Sequence, residues 1–139
     1  MPSLPIRVQE QVSLAPFTTF RIGGPARYFC EAASEAELLD AVQFARQHGL
    51  KIFVLGGGSN LLVGDEGFDG LVIRIAIDSP FESSSDGRFV SYTATAGTDW
   101  NAFVLHLCEQ GISGVECLAG IPGSVGGTPS RTLELMGKR

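Results

Sequence analysis

The strongest constraint in the sequence is a run of three glycines between two apolar segments. Residues 51–63 read KIFVLGGGSNLLV, so a hydrophobic stretch enters Gly56-Gly57-Gly58 and another follows Asn60. Consecutive glycines permit left-handed backbone and let another molecule come close to the main chain. The pattern therefore predicts a special turn between buried segments, with backbone amides available to a ligand.

Three kinds of phosphate-binding loop compete for this stretch. A P-loop requires Gly-Lys-Ser/Thr at the start of a helix, and no lysine follows these glycines. The dinucleotide G-x-G-x-x-G turn also opens a helix, but its third glycine position is Leu61, and the segment 61–63 predicts a strand. The remaining interpretation is a turn whose amides form an anion nest, with Ser59 and Asn60 as further donors. A tight turn that binds nothing is the alternative.

A second glycine turn favours the ligand-binding interpretation. Residues 120–127 read GIPGSVGG and include a hydroxyl donor, Ser124. Two such loops in one small domain would hold a pyrophosphate from two sides, as backbone amides neutralise an anion without a metal.

The segments around these loops predict an α+β fold, a small mixed sheet packed by two helices. Ser34 with Glu37 forms a capping box that opens a helix, and Gly49 suits its C-terminal end. A second helix begins at Thr98 or Asp99 and runs through Gln110. The predicted strands cover 26–31, 51–55, 71–77 and 88–96, with 61–63 extended and 78–87 as a polar hairpin or surface loop.

Composition narrows the class of protein. The 139 residues suggest one domain with a core, since 44% are hydrophobic. The net charge of −5 argues against a nucleic-acid partner, and no apolar run approaches the ~18 residues of a membrane span. Three cysteines without a C-x-x-C pair predict reduced, buried thiols and no metal site. With no signal peptide pattern at the N-terminus, we expect a cytoplasmic protein.

Four motifs together resemble one enzyme family. They are TTFRIGGPA at 18–26, VLGGGSNLLV at 54–63, the Gly67-x-x-Gly70 step before LVIRI, and G-x-x-G-V-E-x-L-A-G-I-P-G-S-V-G-G at 111–127. In this order and spacing they resemble the N-terminal flavin-binding domain of UDP-N-acetylenolpyruvoylglucosamine reductases. The resemblance implies an α+β FAD-binding domain of the vanillyl-alcohol-oxidase (PCMH) type, here incomplete.

The resemblance also implies a reaction and a set of site residues. The family reduces the enolpyruvyl ether of a UDP-sugar with NADPH in peptidoglycan synthesis, and its cofactor is FAD. The flavin carries the hydride, and the protein positions it. Carried over by position, the FAD-binding residues are Gly56, Gly57, Gly58, Ser59, Asn60, Gly120, Ile121, Pro122, Gly123, Ser124, Gly126, Gly127 and Thr128. We assign no catalytic residue and no metal ligand.

The domain boundaries follow from where the resemblance holds. We expect an N-terminal lead-in at 1–16, the FAD-binding segment at 17–129 and an aberrant tail at 130–139. Family members continue Thr-Pro-Val-Gln-Asn-Val-Gly-Ala-Tyr-Gly-Gln-Glu, whereas this chain reads TPSRTLELMGKR. With suitable synonymous codons, deleting one base after Pro129 converts the first string into the second. We interpret the tail as the product of a frameshift.

The consequence is an expectation about activity. The family's proton-donating serine and its assisting arginine and glutamate have no matching motif in this sequence, so we expect no reductase turnover from these 139 residues. The alternatives are another PCMH-type flavin oxidoreductase and a non-catalytic nucleotide-binding module. Outside the loops, Arg21 and Arg27 are interpreted either as phosphate contacts or as solvated side chains, and Trp100 is interpreted as a packing anchor.

Overall fold

The computed structural model describes residues 7–130, and the chain divides after Ile77 into two compact units. Residues 131–139, nearly all of the predicted out-of-frame tail, lie outside the described residues. The first unit contains strands β1 (Gln9–Ser13), β2 (Pro25–Ala32), β3 (Lys51–Leu55) and β4 (Phe68–Ile75) and helix α1 (Glu35–Gln47). The second contains β5 (Glu82–Ser85), β6 (Val90–Thr93) and α2 (Trp100–Glu109).

The first unit is built on a four-stranded mixed sheet in the order β1-β2-β4-β3. Strands β2, β4 and β3 run parallel, and β1 adds to the edge antiparallel to β2. Strand β1 lies inside the predicted lead-in 1–16, where the mostly polar and exposed residues of Gln9–Ser13 give no apolar strand pattern. The α+β class predicted from the sequence is confirmed.

Helix α1 covers one face of this sheet and begins as predicted. The Ser34 hydroxyl accepts a hydrogen bond from the Glu37 amide, and the Glu37 carboxylate accepts one from the Ala33 amide. Gly49, with a φ of 61°, follows the C-terminal end. The buried face of the helix joins the buried residues of β2 and β4 in one cluster: Cys30, Ala32, Ala41, Phe44, Ala45, Leu71 and Ile73.

The opposite face of the sheet carries a second core and leads to the glycine turn. Its buried residues are Leu14, Ala26, Phe29, Leu55 and Val72. Leu61 and Val63 pack against this cluster without forming a strand, so the predicted strand at 61–63 is wrong. The reason is that this loop bonds to a neighbouring turn: the Gly24 amide donates to the Gly64 carbonyl at 2.9 Å.

The second unit combines a hairpin, a helix and a glycine loop. Strands β5 and β6 pair antiparallel, and the predicted strand 88–96 is shortened to β6. Helix α2 is confirmed, with the Asp99 side chain accepting from the Ala102 amide at 2.8 Å. Short 3-10 turns at Glu116–Leu118 and Val125–Ser130 flank the second glycine loop.

Candidate functional site

The first glycine turn is locked against the segment that precedes β2. Gly58 is buried with a φ of 65°, and a Cβ at this position would overlap the carbonyl oxygen of Phe17. The Thr19 amide donates to the Gly58 carbonyl at 3.1 Å. Only glycine fits this combination of left-handed backbone and close approach. The turn is therefore fixed in place by the 17–19 segment.

A cleft of about 360 Å³ opens beside this turn, within the first unit. Its lining combines two cations, glycine backbone and the turn after β1: Pro16, Phe17, Thr18, Thr19, Arg21, Gly56, Gly57 and Arg74. The Thr18 hydroxyl lies between the carbonyls of Ala15 and Ile22, at 3.2 and 3.1 Å, and donates to this turn from inside. The cleft wall is thus a rigid turn facing a glycine loop.

Arg74 reaches the cleft because alternate residues of β4 lie on opposite faces of the sheet. It shares a face with Val72, whereas Leu71 and Ile73 point towards α1. Its guanidinium donates to the Glu31 carboxylate at 2.7 Å and lies 5.6 Å from the centre of the Phe17 ring. Sequence reasoning missed this residue. The available signal was one arginine in the otherwise apolar stretch 71–77.

Arg21 supplies the second cation of the cleft. Its backbone φ of 53° is unusual for a residue with a side chain. Within residues 7–130 its guanidinium forms no salt bridge, whereas Arg27 pairs with Asp69 at 3.1 Å and does not line the cleft. Of the two arginines that the sequence offered as phosphate contacts, the structure brings only Arg21 to the glycine turn.

The cleft fits the diphosphate part of a dinucleotide. Gly56 and Gly57 line the cleft. Over residues 7–130, the amide of Gly57, which lies beyond the β3 ladder, makes no backbone hydrogen bond and is available as a donor. Arg21 adds a positive charge that forms no salt bridge with residues 7–130, and Arg74 adds a second that Glu31 shares. The volume lies at the small end of ligand sites, typically ~300–1,000 Å³. It suits the charged centre of such a ligand rather than the whole molecule.

The other residues predicted in this loop lie at its margin. Gly58 is buried behind the cleft wall, and neither Ser59 nor Asn60 is among the lining residues. Ser59 has an interaction of its own within the protein. Their contact with a cofactor stays a prediction.

The second glycine loop, in the other unit, already uses several of its amides. The Gly120 amide donates to the Asn101 side chain at 2.7 Å, and Gly126 donates to the Ala96 carbonyl at 2.9 Å. The Gly127 amide donates to the carbonyl of Ser124, which also accepts from the Thr128 hydroxyl. No hydrogen bond joins the amides of Ile121, Gly123 or Ser124 to residues 7–130. Of the predicted residues 120–128, these three retain free amide donors.

The two histidines make contacts within the protein. The His48 ring bonds to the Phe44 carbonyl at 2.9 Å, and His106 packs against Phe81.

Cys30 is buried, and burial together with the Glu37 charge raises the pKa of its thiol to about 11. Cys117 is exposed, so the prediction that all three thiols are buried is wrong. Its 3-10 turn turns this side chain outward.

The described part of the chain contains neither a metal-binding cluster nor a membrane-spanning helix. Residues 7–130 contain no group of three or more His, Cys, Asp or Glu side chains placed to hold a metal ion. Neither helix in the same range has the length and hydropathy to cross a bilayer.

A mixed sheet with a glycine turn opening into a cationic cleft, and a second glycine loop with free amides, define a protein that binds a nucleotide cofactor. Residues 26–133 match the family described as FAD binding domain, and the chain belongs to that family. FAD is the cofactor of the family, and the fold is the FAD-binding fold of PCMH-type flavoenzymes.

Known relatives agree with this membership. The UDP-N-acetylenolpyruvoylglucosamine reductase of Saccharopolyspora erythraea is 50% identical over 90% of this chain and 34% of its own length. The crystal structure of UDP-N-acetylenolpyruvylglucosamine reductase from Thermus caldophilus superposes with a TM-score of 0.68. It shares 34% identity over 88% of this chain and 41% of its own. A solvent-stable cholesterol oxidase shares the fold, with 18% identity and a TM-score of 0.59 over 79% and 22% of the two chains.

These matches also set the extent of the similarity. The chain spans about a third of the length of the curated relatives it matches. Those relatives are named as reductases, and the chain matches only this part of them.

Proposed function

We propose that the chain supplies the FAD-binding part of a UDP-N-acetylenolpyruvoylglucosamine reductase, in which NADPH reduces the enolpyruvyl ether of a UDP-sugar for peptidoglycan synthesis in the cytoplasm. The observation that carries the proposal is the cleft of the first unit. There Arg21, Arg74 and the main chain of Gly56 and Gly57 meet in a sequence that is 50% identical to such a reductase.

The cleft provides what a diphosphate requires. Glycines at 56 and 57 leave no side chain between the main chain and the ligand, so amide hydrogens can reach phosphate oxygens directly. Arg21 offers the forked donor geometry that suits phosphate, and it forms no salt bridge with the described part of the chain. Arg74 is held by Glu31 and the Phe17 ring. The cation therefore keeps its place before any ligand arrives.

The second loop has a matching role in the proposal. The free amides of Ile121, Gly123 and Ser124 would bind another part of the cofactor, within the proposed FAD-binding segment 17–129. When bound, FAD supplies the hydride-transfer chemistry, and the residues named here bind and orient it. The described residues are assigned no proton donor to the substrate.

Titration with FAD tests the binding role. We expect the wild-type chain to quench flavin fluorescence with one site per chain and to bind riboflavin, which lacks phosphate, far more weakly. Arg21→Ala should raise the Kd for FAD about tenfold, as for a lost charge-assisted hydrogen bond. Arg27→Ala is the matched control, since that arginine pairs with Asp69 outside the cleft. Absence of FAD binding by the wild-type chain would contradict the proposal.

A chimera tests the reductase assignment. Residues 17–129 would replace the matching segment of the S. erythraea reductase, and NADPH oxidation would be followed with and without the enolpyruvyl UDP-sugar. Oxidation that depends on this substrate is the expected result, weakened by Arg21→Ala. If the chimera binds FAD but oxidises NADPH equally without the UDP-sugar, the segment belongs to another flavin oxidoreductase.

A further inference from the structure

The second glycine loop is tied at several points to the start of α2, all within the second unit. We propose that Asn101 and Trp100 are positioning residues for the cofactor, acting through residues 118–124 of this loop. The inference rests on the proposed function, because it concerns how that loop presents its free amides to FAD. It assigns a task to two side chains that the family motifs do not include.

Asn101 serves the loop rather than its own helix. Helix α2 is already capped by Asp99, whose carboxylate accepts from the Ala102 amide at 2.8 Å. The Asn101 side-chain oxygen accepts from the Gly120 amide at 2.7 Å, nineteen positions along the chain. Gly120 has a φ of 79°, so this bond fixes a backbone geometry that is otherwise permissive.

Trp100 holds the loop on both sides of its tip. The indole nitrogen donates to the Leu118 carbonyl at 3.0 Å, and the Trp100 amide donates to the Gly123 carbonyl at the same distance. The indole also contacts Phe103, with ring centres 6.1 Å apart. Residues 119–122 are thus bracketed by two bonds to one residue. The predicted packing role of Trp100 is present, together with this hydrogen-bonding role.

The segment before α2 completes the attachment. The carbonyl of Thr98 accepts from the Val125 amide at 2.9 Å, and a Cβ on Gly126 would lie 2.6 Å from that of Ala96. Thr98 itself is buried and donates to the Asp78 carboxylate at 2.9 Å. The bonds that hold the loop use the amides of Gly120, Val125 and Gly126. The orientation of the amides that remain free is therefore set by α2 and the segment before it, without a ligand.

Four chains test this inference: wild type, Asn101→Leu, Asn101→Asp and Trp100→Phe. Leucine keeps the branched shape of Asn101 without an acceptor, and aspartate restores the acceptor. Phenylalanine keeps an aromatic ring at position 100 and removes the N–H donor. Each is titrated with FAD at high ionic strength, which screens the added aspartate charge. The amide hydrogen exchange of residues 118–124 is followed by NMR without FAD.

We expect Asn101→Leu and Trp100→Phe each to raise the Kd for FAD about tenfold, the effect of one lost hydrogen bond. Asn101→Asp should bind like the wild type, a rescue that a general loss of stability would not give. In Asn101→Leu the Gly120 amide should exchange faster, while amides of the first unit keep their rates. Unchanged exchange at Gly120 overturns the inference, even if no chain binds FAD. Tight wild-type binding that Asn101→Leu leaves unaltered overturns it and leaves the proposed function standing.

Discussion

The carbonyl oxygen of Phe17 occupies the space where a side chain on Gly58 would begin. Gly58 also has the left-handed φ of 65°, and its own carbonyl accepts from the Thr19 amide. The first glycine turn and the segment before β2 are therefore one assembly, and the cleft exists because they meet. Of the three glycines in this turn, Gly58 has a structural task and its neighbours line the cleft.

Gly58→Ala is expected to lower the free energy of unfolding by at least about 2 kcal/mol, because left-handed backbone alone costs an alanine ~1–2 kcal/mol and the Phe17 carbonyl must also move. Urea unfolding followed by circular dichroism measures the change. Gly64→Ala is the control, since a Cβ there meets nothing within 4 Å and the residue has no left-handed φ. Equal midpoints for the two variants would show that the turn is not fixed in this way.

Replacing Glu31 should change the affinity for FAD in the opposite direction from replacing Arg21. Glu31 lies 2.7 Å from Arg74, and both side chains are about half exposed, at 48% and 44%. Glu31→Gln keeps a hydrogen-bond acceptor and removes a negative charge beside the anion site. We expect FAD to bind about threefold more tightly at low salt, as exposed ion pairs contribute below ~1 kcal/mol. High salt should abolish the gain. Weaker binding at every salt concentration would mean that Glu31 mainly orients Arg74.

Local signals in the sequence were sufficient for α1 and for the existence of both glycine loops. Ser34, Glu37 and Gly49 act within one turn of their own helix end, so their meaning does not depend on the rest of the chain. The three glycines likewise describe backbone freedom at their own positions. These features were predicted because their physics is short-range.

Long-range pairing explains what the sequence did not predict. Strand β1 exists because Gln9–Ser13 bonds to the edge of β2, and its own residues are largely polar. Arg74 belongs to the cleft only through the face that β4 turns towards Phe17. Asn101 reaches Gly120 across nineteen positions. Each depends on register between distant segments, which periodicity in one segment does not encode.

The hairpin of the second unit should respond to acid through Asp86. Its carboxylate accepts from the amides of Phe89 and Arg88 at 2.7 and 2.9 Å. These bonds, the Phe89 one first, lower the pKa of Asp86 below its ordinary value. A lowered folded-state pKa stabilises the turn above the unfolded value of ~3.9, and this is lost as pH falls through the folded value.

An NMR titration of the Phe89 and Arg88 amides measures this response. We expect their shifts to follow one transition with a midpoint below ~3.9. Asp86→Asn should remove the transition while leaving the signals of α2 in place. A midpoint at or above the ordinary value would show that the two bonds do not form in solution.

The cysteines should differ sharply in reactivity. Cys30 is fully buried between the sheet and α1, and burial followed by the Glu37 charge raises the pKa of its thiol to about 11. The reactive species is the thiolate, so at a pH of about 8 only about one part in a thousand of the buried Cys30 is ionised. Cys117 is exposed on a 3-10 turn. A disulfide reagent should therefore label Cys117 first, and Cys30 only when the chain unfolds.

Timed labelling with mass spectrometry separates the three sites, and Cys117→Ser should remove the fast phase. The raised pKa of Cys30 also makes the free energy of unfolding depend on pH in alkaline solution. The unfolded thiol loses its proton above ~8.5 while the folded thiol keeps it, so the free energy of unfolding falls as pH rises past that value. Labelling of Cys30 at the rate of Cys117 in the native protein would contradict the packing of α1 on the sheet.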